Sequence, residues 1–391
     1  MASLSGCTGR SDDSSGNGDS SDTGGTTTDD SSPGSVADDS DYGAWPMARY
    51  DASNRLSVPH DGLDGEPEIL WTAELESTVS PPVVYDDTAF VSHGSGLYTA
   101  VDLEDGEPVW EHETVGRAAP AVSDAAVFVA GDGVEALDRD NGDVLWSTEH
   151  DESVESIRVY DGAVYAGIGD RVVGLDEEGE ELLEIEATPT VQSLAIDDER
   201  IYVRSRIDPD EYDFVMAGYD RDSGDHLWEH EISQVQQWFD DRVTRTFPLV
   251  NGMVYTIDGN AVVSIDGAEG ELTEVVEFDE TDPWTRPTIL DKMMYVRVRE
   301  PTAYNLETDT IPTEWDPEKN TRYSFVTAGG ASYTIRGTGY SSPPNLMSMD
   351  LGTGEINWEK QAPELDEAHI PVVLDGLVLL PINDPGLVAF G

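Results

Sequence analysis

The sequence predicts an all-β protein, an eight-bladed β-propeller of four-stranded antiparallel blades that an N-terminal strand closes by completing the last blade. The first of two observations behind this prediction is a repeated landmark, in which a polar turn precedes an apolar pair and then an aromatic or large aliphatic residue. Its eight copies start at Asp86, Asp124, Asp161, Asp198, Asn251, Asp291, Gly329 and Asp375. Neighbouring copies lie 37 to 53 residues apart, a period typical of propeller blades.

The second observation is a turn that runs from an aspartate to a glycine and is followed, in most copies, by a tryptophan four residues later. The turns are Asp102–Gly106, Asp138–Gly142, Asp220–Gly224, Asp266–Gly270 and Asp350–Gly354. The blade tryptophans are Trp71, Trp110, Trp146, Trp228 and Trp358, with Trp315 in a degenerate copy, and Leu183 stands in their place in the third blade. Because one indole ring can bury about 150 Å² or more, we expect these rings to pack against adjacent blades.

Each repeat contains short β-rich runs separated by Gly, Asp and Asn at hairpin positions. In the first repeat the runs are PPVVY (81–85), TAFVS (88–92), LYTAVD (97–102) and PVWEHE (108–113). Four antiparallel strands per repeat make one blade. The longer repeats contain residues 204–216 and 336–347, which we predict to be loops between the second and third strands of their blades.

The two ends of the repeat array complement each other. The last repeat stops after its third strand, GLVAF (386–390), and lacks a tryptophan strand. The segment GEPEILWTAEL (65–75) is a tryptophan strand with no blade before it. Pairing the two completes the eighth blade and removes a sheet edge that another molecule could pair with, so we expect a monomer.

The charge of the chain is strongly acidic. The sequence has 81 acidic and 21 basic residues, a formal net charge of −60, which makes the chain repel itself in dilute buffer. In molar salt the Debye length falls to about 3 Å and screens this repulsion. We therefore expect a protein from an extreme halophile. Nucleic acid is excluded as a partner because no stripe of basic residues is available to neutralise phosphates.

The N-terminal region predicts a membrane anchor. The only cysteine of the chain is Cys7, in the sequence LSGC, which resembles the lipobox of prokaryotic lipoproteins. Residues 1–44 form this lipobox remnant and a Ser/Gly/Asp/Thr-rich linker that cannot bury a core, and residues 45–391 form the propeller domain. We expect an extracytoplasmic protein held to the cell membrane by a lipid on Cys7, with no transmembrane helix. The alternative is an ordinary N-terminal tail with a chance cysteine.

The repeat resembles the pyrroloquinoline-quinone (PQQ) enzyme repeat, and WPMARYDASN (45–54) is similar to the lead-in of such proteins. The resemblance covers about residues 65–391 and implies an eight-bladed propeller, in a superfamily that contains quinoprotein alcohol dehydrogenases and the non-catalytic BamB lipoproteins. The alternative, a WD40 repeat, places its Trp-Asp pair at the end of a strand. The dehydrogenases of the superfamily use an adjacent Cys-Cys disulfide, a Ca²⁺ held by acidic and amide side chains, and a catalytic aspartate, whereas this chain has no cysteine pair.

One strand carries two histidines that share a face. His226, Trp228 and His230 alternate along it, and two imidazoles at this spacing can ligate a metal. The other interpretation is that they flank the blade tryptophan on an outer strand. No Gly-x-Ser-x-Gly, P-loop or His-Glu-x-x-His motif occurs in the sequence.

The basic residues are distributed unevenly between the two predicted faces of the disc. The loops that enter the first strand of each blade and those that join its second and third strands lie on one face, and they contain Arg117, Arg245, Arg286, Arg322, His369, Arg204, Arg206, Arg297, Arg299 and Arg336, with His93. The loops of the opposite face are acidic apart from Arg139 and Arg221. This asymmetry predicts an anion-accepting mouth of the central channel. The alternative is that the arginines form local pairs with neighbouring acids.

The sequence therefore predicts a non-catalytic binding or assembly scaffold at the cell surface, with no cofactor. Its partner would be another surface or membrane-associated protein, an anionic ligand or a glycan. The alternative is a PQQ-dependent quinoprotein oxidoreductase with an atypical site, which would need PQQ and Ca²⁺. The repeat itself does not distinguish the binding scaffold from the oxidoreductase, because the repeated residues build the fold rather than a functional site.

Overall fold

A computed structural model of the chain describes residues 42–75, 80–116, 118–187, 190–207, 213–233, 246–278, 287–297, 301–308, 310, 325–336, 345–362, 369–382 and 386–391. The chain divides into two units, Met1–Ser31 and Ser32–Gly391, and all described residues belong to the second. These residues form strands and turns, with no helix among them. The strands assemble into eight antiparallel sheets, so the prediction of an all-β, eight-bladed propeller is confirmed.

The first four blades each have four described strands. Blade 1 consists of β2 (Val83–Tyr85), β3 (Thr88–Ser92), β4 (Leu97–Asp102) and β5 (Pro108–Glu113). Blade 2 consists of β6 (Ala121–Val122), β7 (Val127–Ala130), β8 (Val134–Leu137) and β9 (Val144–Ser147). Blade 3 consists of β10 (Val154–Tyr160), β11 (Ala163–Ile168), β12 (Arg171–Leu175) and β13 (Glu181–Glu186). Blade 4 consists of β14 (Val191–Ile196), β15 (Arg200–Arg206), β16 (Phe214–Asp220) and β17 (His226–Ile232).

The second half of the ring repeats this order. Blade 5 consists of β18 (Leu249–Val250), β19 (Met253–Asp258), β20 (Ala261–Asp266) and β21 (Leu272–Glu277). Blade 6 has three described strands, β22 (Thr288–Leu290), β23 (Met293–Arg297) and β24 (Pro301–Asn305), and Trp315 lies outside the described residues. Blade 7 consists of β25 (Val326–Ala328), β26 (Ala331–Arg336), β27 (Asn345–Asp350) and β28 (Ile356–Gln361).

Blade 8 is built from both ends of the chain. Its inner strands are β29 (Val372–Val373), β30 (Val378–Pro381) and β31 (Gly386–Phe390), and its outer strand is β1 (Ile69–Glu74). Trp71 pairs with Ala389, and backbone bonds between Glu68 and Gly391 extend the ladder. The predicted closure of the ring by an N-terminal strand is therefore present.

The first strand of blade 1 is shorter than the sequence predicts. The prediction started it at residue 81, but β2 begins at Val83. Residues 81 and 82 are prolines, which have no backbone N–H to contribute to a ladder. The predicted loops at 204–216 and 336–347 were too long, because β15 extends to Arg206 and β16 starts at Phe214, while β26 extends to Arg336 and β27 starts at Asn345. Residues 208–212 and 337–344 lie outside the described residues.

Each described blade tryptophan up to Trp228 contacts the Asp-to-Gly turn of the next blade. Its indole Nε1 donates to the carbonyl that follows the aspartate of that turn, at 2.7–2.9 Å, in the pairs Trp71–Leu103, Trp110–Arg139, Trp146–Glu177 and Trp228–Gly267. The ring lies over the glycine of the same turn, and Leu183 contacts Gly224 in the corresponding way. The remaining seams are apolar clusters that join blades 5 and 6, 6 and 7, and 7 and 8.

Candidate functional site

The strand order gives the disc two different faces around a central channel. The turn face carries the hairpins between the first and second strands and the Asp-to-Gly turns, and the loop face carries all other connections. In each Asp-to-Gly turn the aspartate accepts hydrogen bonds from backbone N–H groups of the turn. These bonds, with the Ser223 and Thr353 hydroxyls, hold the pKa of Asp220 and Asp350 below the usual value.

The two arginines of the turn face join neighbouring blades. Arg139 of blade 2 donates to Asp86 of blade 1 at 2.9 Å and lies 4.4 Å from the centre of the Tyr85 ring. Arg221 of blade 4 repeats this arrangement over Tyr160 of blade 3 and lies 3.6 Å from the Asp161 carboxylate. These contacts between blades explain why Arg139 and Arg221 lie on the otherwise acidic turn face.

The segment before the first blade, residues 42–62, winds once around the channel; we name it the belt. It contacts the inner strand of one blade after another at the turn-face end. Its hydrogen bonds link Tyr42 to Asp375, Trp45 to Val84, Pro46 to Val122, Met47 to Val159, Ala52 to Ile196, Ser53 to Leu249, Leu56 and Val58 to Thr327, and Gly62 to Gly376. The described belt therefore touches blades 8, 1, 2, 3, 4, 5 and 7 in order and returns to blade 8.

The two ends of the belt meet at one histidine. His60 Nε2 lies 2.9 Å from the Ala44 carbonyl, and its Nδ1 lies 3.2 Å from Asp375 of blade 8. The ring of Tyr50 packs edge-on against both His60 and Trp45, with centroids 5.8 and 5.6 Å apart. This aromatic stack, together with Leu56 and Val58, joins the apolar core of blades 7, 8 and 1.

The belt adopts backbone conformations that side chains rarely favour. Tyr50, Asn54 and Leu56 have φ values of 78°, 56° and 55°, in the left-handed region, which persists only where the surroundings impose it. At Asn54 the reason is visible. Its side chain donates to the Leu194 carbonyl of blade 4 and accepts from Arg158 of blade 3.

A buried charged cluster lies between the belt and the inner strands. Arg49 is fully buried and donates to Thr246 Oγ1 at 2.5 Å. Asp51 accepts from the Ser53 N–H and from Arg55 Nε at 2.8 Å, and burial raises its pKa above the usual value. Burial also lowers the pKa of Arg158 to about 10. The described belt thus lies along the turn-face ends of the inner strands, with this buried charged cluster beneath it.

The structure describes part of the predicted mouth. Arg204, Arg206, Arg336 and His369 are described; the side chain of Arg297 is not, and Arg117, Arg245, Arg286, Arg299 and Arg322 lie outside the described residues. Arg204 donates to Gln192 at 2.6 Å and lies 4.0 Å from the Phe214 ring. Arg336 pairs with Glu359 of the same blade at 2.8 Å. These two arginines therefore have partners within their own blades.

The histidines that the sequence analysis named have different partners in the structure. His230 Nε2 lies 2.6 Å from the Gly270 carbonyl of blade 5, whereas His226 packs edge-on against Tyr219. His93 lies on the loop face with its Nε2 3.0 Å from Thr99. In the part of the chain that the structure describes, no group of three or more His, Cys, Asp or Glu side chains is arranged to hold a metal ion.

The donor set of the described channel does not fit a Ca²⁺-held quinone cofactor. Among the described residues, the charged side chains that are almost fully buried, histidine aside, are Arg49, Arg158, Arg204 and Asp51, and arginines oppose a divalent cation. The cysteine pair that the PQQ resemblance implies is absent because the chain has a single cysteine.

Sequence reasoning missed the circuit of the belt and its buried charges. Residues 45–54 were recognised by their likeness to a known repeat family, but the path of this segment around the blades was not predicted. A possible signal is the presence of Arg49, Asp51 and Arg55 among apolar and aromatic residues, outside the repeats. Among the described residues, no helix has the length and apolar character needed to cross a membrane.

Comparisons with known proteins place the chain among repeat propellers. The family model described as "Outer membrane protein assembly factor BamB" matches residues 63–166 and 130–360. No curated protein matches the chain.

Similar solved structures include the computationally designed Ika8 protein, at 13% identity and a TM-score of 0.66, with 83% of this chain and 99% of that chain covered. A quinohemoprotein alcohol dehydrogenase from Comamonas testosteroni is 14% identical with a TM-score of 0.63, covering 89% and 80% of the two chains. A europium-containing methanol dehydrogenase is 13% identical with a TM-score of 0.64, covering 87% and 89%. At these identities the structural likeness concerns the fold alone.

Proposed function

Because this chain belongs to the PQQ_2 family of BamB-like propellers, we propose that it is a non-catalytic binding scaffold that takes a surface or membrane-associated protein at its loop face. The observation that carries the proposal is the position of the belt, which contacts seven blades at the turn-face ends of their inner strands. The loop face lies opposite the belt, and the sequence concentrates its basic loops there. A basic mouth on a chain of net charge −60 gives a local site for acidic groups of a partner.

A direct test is to replace Arg117, Arg245 and Arg286 with glutamine and to measure capture of surface proteins from native membranes in high salt. Capture of the same partner is expected to fall about tenfold or more, because each charge-assisted hydrogen bond contributes about 1.5–3 kcal/mol. The matched control carries Arg139→Gln and Arg221→Gln on the turn face and is expected to retain capture. Equal capture by the two variants would refute the proposed mouth.

The proposal also includes the membrane anchor. A lipid on Cys7 would hold the protein outside the membrane of an extreme halophile through the linker that precedes the belt. Cys7→Ser is expected to move the protein from the membrane pellet to the soluble fraction, with its circular dichroism spectrum unchanged. Continued sedimentation of the Ser variant with membranes after a molar-salt wash would contradict the anchor.

The alternative function, a PQQ-dependent oxidoreductase, predicts a different result. Addition of PQQ and Ca²⁺ to the purified protein would then produce a bound-cofactor spectrum and reduce a dye in the presence of alcohols or aldose sugars. The scaffold proposal predicts no dye reduction. Any turnover that depends on both additions would favour the oxidoreductase.

A further inference from the structure

The buried charges of this acidic chain are mainly positive. Among the described residues, the charged side chains below 5% exposure, histidine aside, are Arg49, Arg158, Arg204 and Asp51. All four belong to the belt or to strands of blades 3 and 4. The almost fully buried charges of the described residues are thus mainly cationic, whereas the chain as a whole has a net charge of −60.

Arg158 is the clearest member of this group. It lies on β10, the inner strand of blade 3, and is 3% exposed. Its Nη1 donates to the Ile157 carbonyl and its Nη2 to the Asn54 side-chain oxygen, both at 2.7 Å, and its buried Nε makes no hydrogen bond. Both acceptors are neutral, so the guanidinium forms hydrogen bonds without an ion pair in the part of the chain that is described.

The buried carboxylate of Asp51 accepts hydrogen bonds from groups other than Arg158. Asp51 raises the pKa of Arg158 only against the larger lowering effect of burial. Its oxygens accept from the Ser53 N–H and from Arg55 Nε. An arginine stays protonated inside a protein, and a buried charge without a counter-charge costs several kcal/mol. The position of Arg158 therefore favours a negative group that the described side chains do not provide.

The surroundings of Arg158 suit a small anion. The neighbouring Asn54 amide is held in place by the Leu194 carbonyl on the inner strand of blade 4. The residue before Leu194 on that strand, Ser193, also has a buried hydroxyl without a hydrogen-bond partner among the described residues. The unpartnered atoms have almost no contact with solvent, so a large organic anion would not reach them. The composition of the chain is suited to molar salt, where halide is abundant.

We propose that the channel wall beside Arg158 holds one small monovalent anion of the halide class, which neutralises the guanidinium and fixes the belt against blades 3 and 4. The bound anion is a structural part of the native state and is released when the chain unfolds. A ligand that binds only the native state stabilises it in proportion to the logarithm of its concentration above its Kd. The site is independent of the proposed mouth and of any partner.

The test is the dependence of unfolding on chloride at constant cation concentration. The purified full chain is unfolded by heat in mixtures of potassium chloride and potassium gluconate, with total potassium fixed. Uptake of one chloride predicts that the unfolding equilibrium constant falls up to tenfold for each tenfold rise in chloride. The same slope, close to one, is expected for the control Arg221→Gln, and a slope close to zero is expected for Arg158→Gln.

Identical chloride slopes for the wild type and Arg158→Gln would overturn the proposal, since general salt effects act on both proteins. If Arg158→Gln does not fold, crystals grown from bromide decide. Crystals grown from molar bromide are expected to show an anomalous peak within hydrogen-bond distance of Arg158 Nε. A bridging water in place of that peak would equally overturn the proposal.

Discussion

Replacing Asn54 with alanine is expected to lower the free energy of unfolding by about 2–5 kcal/mol, because buried groups left without partners cost about 1–3 kcal/mol each. The substitution leaves the Leu194 carbonyl and the Arg158 Nη2 group without their partner. It also places alanine at a φ of 56°, which asparagine tolerates better. Urea unfolding in molar potassium chloride measures the change.

The matched control for this change is Asn141→Ala. Asn141 is an exposed turn residue whose side chain accepts one hydrogen bond from the Asp143 N–H. Its loss is expected to cost about 0.5 kcal/mol, as for most surface substitutions. Equal effects of the two substitutions would show that the belt contributes nothing beyond a surface loop.

Replacing Gly142 with alanine is expected to cost about 2–5 kcal/mol, from a left-handed backbone at about 1–2 kcal/mol and overpacking at about 1–3 kcal/mol. Gly142 has a φ of 73°, and a Cβ there would lie 2.7 and 2.8 Å from atoms of the Trp110 ring. The ring cannot withdraw easily because its Nε1 bonds to Arg139 and it packs against Phe90. Differential scanning calorimetry of the variant measures the loss.

Gly252 provides the control for the cost of placing alanine in a left-handed backbone conformation. It has the same φ of 73° but open space where a Cβ would stand. Gly252→Ala is therefore expected to cost only the backbone term of about 1–2 kcal/mol. The difference between the two variants isolates the contact between the tryptophan and the next blade, and a difference near zero would contradict that contact.

The repeat pattern in the sequence was enough to predict the blades. The landmark aromatics Phe90, Phe128 and Tyr202 and the blade tryptophans lie in predicted strands, and they pack against each other at 5.8–6.1 Å. The closure of the ring was predictable because Trp71 stands on a predicted strand with no blade before it. Local sequence determines these features, since each repeat contains its own alternation of apolar and polar residues and its own turn residues.

The belt could not be predicted in this way. Its contacts join residues about 40 to 330 positions apart, such as Trp45 with Val84 and Tyr42 with Asp375, and they use backbone groups that carry no sequence signal. The mouth was predicted from topology and charge alone. That reasoning could not foresee that Arg204 stacks on Phe214 or that Arg336 pairs with Glu359, because partners depend on register between strands.

Amide hydrogen exchange in molar potassium chloride tests most directly whether the N-terminal segment closes the ring and binds along the inner strands. Slow exchange is expected for residues 45–58, for β1 and for β31, at a level similar to that of β4 in blade 1, since all of them are bonded into the same ring. Exchange of the belt or of β1 at the rate of an unstructured peptide would contradict the account.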